Sequence, residues 1–148
     1  VVIMLCGGAF PLMETDEMNF RIVENISQAL KPENGKFIFT TMNALFPLFH
    51  SVKDFVNPGN TEGFSSYIIN NFDLMTFRES SVISVVDDDG RKKELQCNER
   101  YYVPSEITWM LKSLGFRTID IFGAKLGAFS RDDPLTTEDY EMLVIAEK

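Results

Sequence analysis

The first six positions, Val-Val-Ile-Met-Leu-Cys, are apolar without interruption, and Gly7-Gly8 follow them. A continuous apolar run of this length predicts a short strand buried on both faces, as in a parallel sheet covered by helices. Met18, Ile22, Val23, Ile26, Ala29 and Leu30 then recur at helical spacing. Thr15-Asp16 offers an N-cap, and Glu14, Asp16 and Glu17 are placed to complement the helix dipole. The pattern predicts an amphipathic helix over 16–30. Pro32 stops it, and Glu33-Asn34-Gly35 turns the chain. Residues 36–42 (KFIFTTM) have a continuous apolar centre and predict the next strand. Strand, helix, turn and strand make a βαβ unit with parallel strands and a right-handed crossover.

The rhythm breaks after Asn43. Phe46, Phe49, Phe55, Phe64, Tyr67 and Phe72 are spread among polar residues, with a turn at Asn57-Pro58-Gly59-Asn60. Two short helices are expected there, over 46–55 and 61–70. Segments 74–86 and 91–103 flank Asp88-Asp89-Gly90, which predicts a β-hairpin with one face toward water. Pro104-Ser105-Glu106 opens a helix with Ser105 as its N-cap and Ile107, Met110, Leu111 and Leu114 as its buried stripe. Gly115 suits the C′ position, with Phe116 folding back onto the last turn. Residues 117–122 alternate in polarity, which suits a sheet edge, whereas 140–146 (YEMLVIA) are apolar enough for an interior slot. The last strand is therefore expected between 36–42 and 117–122, returning antiparallel through a connection over 123–139. The chain reads as a single α/β domain over 1–148 with an insertion at 43–103, and it contains no internal repeat.

Composition narrows the function classes. The 148 residues are 45% hydrophobic and 24% charged, as in an ordinary globular domain, long enough to bury a core without disulfides or metals. Cys6 and Cys97 form no CxxC or metal-ligand cluster, so a reducing, cytoplasmic setting is expected. The formal net charge of −8 argues against nucleic acid as a partner. The basic run Arg91-Lys92-Lys93 sits beside Asp87-Asp88-Asp89, and both read as the solvated tip of the hairpin. The uncharged opening ends at Glu14, short of the roughly 20 residues that cross a bilayer, and no basic region precedes it. Neither a membrane partner nor a signal peptide is expected, and a chain beginning Val-Val reads as processed, excised or incompletely represented.

Three stretches carry a resemblance: "LKPENGK" at 30–36, "YVPSEITWMLKSLGF" at 102–116, and the closing "YEMLVIAEK". In this order they resemble the C-terminal half of a class I S-adenosylmethionine-dependent methyltransferase, of the type that acts on small molecules. The first is similar to the family's Leu-Lys-Pro-Gly-Gly step into its fifth strand, with Glu33-Asn34 in place of the first glycine. The second is similar to the family's Tyr-x-x-x-Glu segment, helix and Gly-Phe, and the third to its antiparallel seventh strand. The resemblance implies a partial Rossmann-like sheet with family strands in the order 4-5-7-6, carrying an inserted helical lid and hairpin. It also exposes a departure. The glycine-rich loop and acidic ribose ligand with which the family holds S-adenosylmethionine are not in this sequence, and its close glycine pair, Gly7-Gly8, follows what would be the fourth strand. The first three strands and most of the cofactor pocket are expected to be missing.

Ligands in open α/β sheets bind beyond the carboxyl ends of the parallel strands, which here are 6–10 and 41–43. The resemblance places Cys6, Gly7, Gly8 and Phe10 beside the methionine part of S-adenosylmethionine; equally, the glycines form a tight turn and Phe10 is core. Asn43 is a candidate to hydrogen-bond the methyl acceptor, or else a polar loop cap. His50 is a candidate base in the lid, or a packing residue. Tyr101 and Tyr102 stand where related enzymes face the acceptor, on opposite faces of the chain, so at most one points at the site. Tyr102 is the weak catalytic candidate of the two; Tyr101, with Phe49 and Tyr67, is a candidate acceptor contact, and all three are otherwise insertion core. The leading expectation is thus the C-terminal part of a methyltransferase for a small-molecule acceptor, inactive alone. The alternative is a non-enzymatic module that dimerises or docks through the edge of strand 1–6.

Overall fold

The computed structural model describes residues 1–6, 10–50, 66–125 and 128–148, apart from the side chains of 66–70, 83 and 118. Along the chain run β1 (Val2–Leu5), α1 (Asp16–Ala29), β2 (Lys36–Met42), α2 (Leu45–Phe49), β3 (Ser66–Asp73), β4 (Arg78–Val86) and β5 (Lys92–Arg100), then α3 (Pro104–Ser113), β6 (Thr118–Lys125), β7 (Ala128–Pro134) and β8 (Glu141–Glu147). They form a five-stranded sheet of order β1-β2-β8-β6-β7 and a three-stranded sheet of order β3-β4-β5.

The main sheet follows from the apolar pattern. β1 and β2 pair in parallel. The closing strand β8 lies between β2 and β6 and is antiparallel to both, the slot its apolar sequence calls for. Phe37 and Phe39 on β2, Met142, Val144 and Ala146 on β8, Val23 on α1 and Ile107, Met110 and Leu111 on α3 share one core cluster. Both helices therefore cover the same face of the sheet. Phe37, Phe39, Ile107, Leu111 and Val144 are fully buried, and each such side chain contributes about 2–3 kcal/mol by leaving water.

Helix ends are set by identifiable groups. Thr15 Oγ1 accepts the Met18 N–H at 3.2 Å and starts α1. α3 starts two residues earlier than Ser105 as N-cap would place it, because Glu106 reaches back to accept the Val103 N–H at 3.0 Å and Pro104 takes the first helical position. It ends as its sequence implies: Gly115 has φ +89°, the Phe116 N–H bonds Leu111 O at 3.1 Å, and Phe116 is buried. The Ser27 hydroxyl then donates to Leu114 O at 2.9 Å, tying α1 to the end of α3.

The structure corrects four expectations. β1 is not buried on both faces: Ile3 and Leu5 pack on the core, while Val2 and Met4, 54% and 64% exposed, point to the face opposite the one α1 and α3 cover. Residues 66–70 continue a strand, β3, rather than a helix, because pairing with β4 overrides local pattern. The helix expected over 46–55 is described only as Leu45–Phe49, and 51–65 lie outside the described residues. Strand β6 is not the sheet edge; the connection after it forms β7, which pairs antiparallel on its far side. The hairpin is as read, with Arg78 opposite Arg100 and Val86 opposite Lys92 across Gly90. Asn43 and Tyr102 form a parallel bridge that fastens this second sheet to the end of β2.

Gly123 on β6 lies against Asp139, whose carboxylate accepts the Thr136 N–H and hydroxyl at 2.7 and 2.8 Å. A Cβ at Gly123 would stand 2.6 Å from that carboxylate. Gly123→Ala is expected to lower stability by about 1–3 kcal/mol, read as a lower urea midpoint with an unchanged slope. An unchanged midpoint would contradict this packing.

Candidate functional site

The carboxyl end of β2 meets the inserted sheet through the Asn43–Tyr102 bridge, and the described sequence candidates fall as follows. Gly7 and Gly8 lie outside the described residues, Cys6 is half-buried, and Tyr67 is on β3 with its side chain outside the description. Phe10 is fully buried, its ring stacked on Tyr102 at 5.8 Å and edge-on to Phe39 at 5.6 Å. It sits in the core rather than at an open surface. Asn43 is also fully buried: its Nδ2 donates to Asp139 O at 2.7 Å and Thr136 O at 3.3 Å, and its Oδ1 accepts the Leu45 N–H at 3.0 Å. Those bonds hold α2 and the loop before β8 against the end of β2. Phe49 is 70% exposed. His50 stacks on Phe46 at 4.2 Å, with Nε2 3.4 Å from the Glu138 carboxylate.

Tyr101 and Tyr102 point to opposite sides, as alternation requires. Tyr102 joins the main core with Phe10, while Tyr101 joins a second cluster with Met42, Ala44 and Phe72. The Tyr101 hydroxyl donates to Glu79 Oε2 at 2.8 Å and lies 3.0 Å from the Tyr140 hydroxyl. Phe72 meets Tyr101 edge-on at 5.3 Å and Phe46 meets Tyr140 edge-on at 5.6 Å. The structure thus brings together Tyr101, Tyr140 and Glu79 in an aromatic surround beyond β2. Burial raises the Glu79 carboxyl above its ordinary value, opposed by the Tyr101 hydrogen bond. Glu99 is raised too, by burial first and then by the carboxylates of Glu79 and Glu141. Burial likewise drives the Tyr101 phenol upward, so it stays protonated and is a hydrogen-bond donor rather than a base. This side of the insertion is acidic and aromatic.

On the other side, Tyr102 is held shut. The Arg100 guanidinium lies 4.6 Å over its ring, and its hydroxyl is pushed up to about 12 by burial and then by Asp16. Arg100 donates to Tyr101 O and to Glu106 Oε1 at 2.7 Å, and its Nε lies 3.4 Å from Asp16 Oδ2. Arg78 donates to the other Asp16 oxygen at 2.5 Å, to Met13 O at 3.0 Å and to Asn98 Oδ1 at 2.8 Å. One carboxylate on α1 thus receives two guanidiniums from paired positions on β4 and β5. Sequence reasoning passed over Arg78, Arg100, Glu79 and Tyr140. For the arginines a signal existed: counting outward from the hairpin turn puts them opposite each other. For Glu79 and Tyr140 none did, because they meet across residues far apart in the chain. Among the described residues, no cluster of side chains could hold a metal ion, and no helix is long and apolar enough to cross a membrane.

No family model matches the chain, and no curated protein matches it. Solved structures do. The CcbJ methyltransferase from Streptomyces caelestis superposes with a TM-score of 0.65 at 11% identity, over 98% of this chain and 55% of that one. An S-adenosylmethionine-dependent methyltransferase from Clostridium acetobutylicum ATCC 824 does so with a TM-score of 0.65 at 14% identity, over 99% of this chain and 57% of that one. At such identities the likeness shows the fold: this chain has the architecture of part of a methyltransferase and spans about half the length of each structure.

Two outcomes follow from the site. Arg100→Ala strips a buried cation from Asp16 and Glu106 and is expected to cost about 3 kcal/mol, with Arg78→Ala costing about 1–2 kcal/mol; equal and negligible shifts in urea midpoint would refute the clamp. Glu99, raised in the fold, prefers its protonated form there, so ionisation above its unfolded value of 4.5 weakens the fold. Glu99→Gln should therefore raise the urea midpoint at neutral pH and leave it unchanged well below pH 4.5, where both side chains are neutral; a midpoint that drops at neutral pH would show that the charge is favourable.

Proposed function

We propose that this chain is the acceptor-side half of an S-adenosylmethionine-dependent methyltransferase acting on a small molecule, with the cofactor cradle supplied from outside it. The fold match over about half of two such enzymes supports the reading. The observation that carries it is the edge of β1. The far edge, β7, bears Arg131, Asp132, Asp133 and Pro134 and a register shift in its pairing with β6, devices that discourage another strand. β1 is Val-Ile-Met-Leu with no charge and no proline, and Val2 and Met4 lie open. An unprotected apolar edge opposite a protected one supports the reading that the sheet continues past β1 in the whole protein.

The residues described here do not make a cofactor site alone. Phe10 is sealed in the core, Asn43 has its polar atoms engaged within the chain, and Asp16 is taken up by two arginines. When bound, the cofactor supplies an electrophilic methyl group; this chain supplies the other partner's seat. Tyr101, fully buried and kept protonated, holds Glu79 and Tyr140 in place, and those two, which reach the surface, meet the acceptor, with Glu79 taking its proton. His50, beside Glu138 at the rim, is the second proton acceptor within reach of the same aromatic surround.

The second reading, a module that dimerises through β1, rests on the same edge. Calorimetric titration of the chain with S-adenosylmethionine is expected to give no heat at micromolar ligand, because the described candidate contacts are already engaged within the chain. Saturable binding would overturn the half-site assignment. Light scattering separates the two readings: a dimer that Met4→Lys dissolves would favour the module, and a monomer the half-enzyme.

A further inference from the structure

α1 and α3 lie side by side on one face of the sheet, and their outer surfaces do not close over each other. Between their first turns is a hollow of about 370 Å³ walled by Phe20, Tyr102, Trp109 and Met110. A second, of about 500 Å³, runs on from it along α1 past Arg21 and Glu24. The two share Asp16, Phe20 and Trp109 and so form one groove. From Asp16 to Glu24 it follows α1 for about 12 Å, two helical turns. Trp109 is 70% exposed at its centre, and it is the chain's single tryptophan. A tryptophan left open over a hollow is the kind of side chain that anchors protein interfaces.

Charge selects the occupant. Arg100 lies at the deep end, but Asp16 and Glu106 already neutralise it. What the groove then presents outward is Glu17 and Glu24, with Arg21 between them. The deep end is apolar and aromatic; the shallow end is rimmed by carboxylates. We infer that the groove between α1 and α3 docks a basic amphipathic helix of a partner protein, about two turns long. A bulky apolar side chain of that helix enters the hollow beside Trp109 and Phe20, and lysines or arginines about two turns apart meet Glu17 and Glu24. The groove lies behind the Arg100–Tyr102 barrier from the Tyr101 cluster, so this inference is independent of the proposed methyl transfer.

Trp109 makes the test direct. The chain is titrated with a synthetic 14-residue leucine/lysine amphipathic helix while tryptophan emission is followed. The expected result is a saturable blue shift at micromolar peptide that weakens at least tenfold on raising salt from about 0.05 to 0.5 M. A leucine/glutamate helix and a serine/lysine peptide should give none. Glu17→Lys with Glu24→Lys should weaken the leucine/lysine helix at least tenfold, while Asp132→Lys with Asp133→Lys, on β7 at the far sheet edge, should leave it unchanged; circular dichroism checks that both variants fold. The inference is overturned if no peptide shifts the emission, if the serine/lysine peptide shifts it equally, or if the β7 reversal weakens binding as much as the α1 reversal. A blue shift that grows with protein concentration and no peptide would overturn it in favour of a second copy as occupant.

Discussion

Two guanidiniums converge on the Asp16 carboxylate, one from each strand of the hairpin, and the relation of the two sheets turns on that meeting. Arg78 and Arg100 are side-chain exposed by only 14% and 7%, so their charges are largely removed from water and must be compensated where they lie. Asp16 also sits in the first turn of α1, where the helix dipole favours a negative charge. The same arginines reach further: Arg78 donates to Met13 O, and the Arg100 backbone N–H donates to Pro11 O. Pro11 and Met13, between β1 and α1, are therefore tied to the inserted sheet.

The contrast between sheet edges has a similar economy. A sheet that ends needs charges, proline or irregular pairing on its last strand, and β7 has all three. A sheet that continues needs none of these, and its next strand should be apolar on both faces. β1 has that composition while showing one open face, so its sequence is written for more cover than the described residues provide.

Much of this was legible in the residues. The interior position of β8 followed from seven nearly unbroken apolar residues set against the half-polar 117–122. The end of α3 followed from Gly115-Phe116. The opposed faces of Tyr101 and Tyr102 followed from the two-residue period of an extended chain. What failed did so where tertiary pairing outweighed local pattern. Residues 66–70 (SYIIN) carry β-branched residues that fit strand as well as helix, and pairing with β4 decided the matter. β7 is mostly polar, and only its register on β6 makes it a strand. The site was less legible than the fold because its contacts are long-range. Glu79, Tyr101 and Tyr140 come from three separate elements, and nothing in the spacing of one announces the others. Asn43 shows the converse: its position at a strand end fits a ligand contact or a polar loop cap alike, and since a buried amide needs its hydrogen bonds met, the backbone at 136 and 139 engages it as a cap.

The step from Tyr101 to Tyr102 divides the molecule's chemistry. Successive side chains of an extended segment cannot serve the same cavity, and here each is committed by a different partner. Tyr102 lies between Phe10 and the Arg100 guanidinium, which leaves its ring no free face for a ligand. Tyr101 carries its hydroxyl to Glu79 and Tyr140, groups on the inserted sheet and at the start of β8. A hydroxyl that accepts or donates across such a junction senses any shift of the inserted sheet against the main one. The polar chemistry of this chain is therefore confined to the side that the arginine clamp aligns, and the opposite side is left with an apolar groove and an acidic rim. The same two-residue alternation that places the aromatic pair also keeps those surfaces apart, so a change on one helix face need not disturb the hydroxyl cluster behind it.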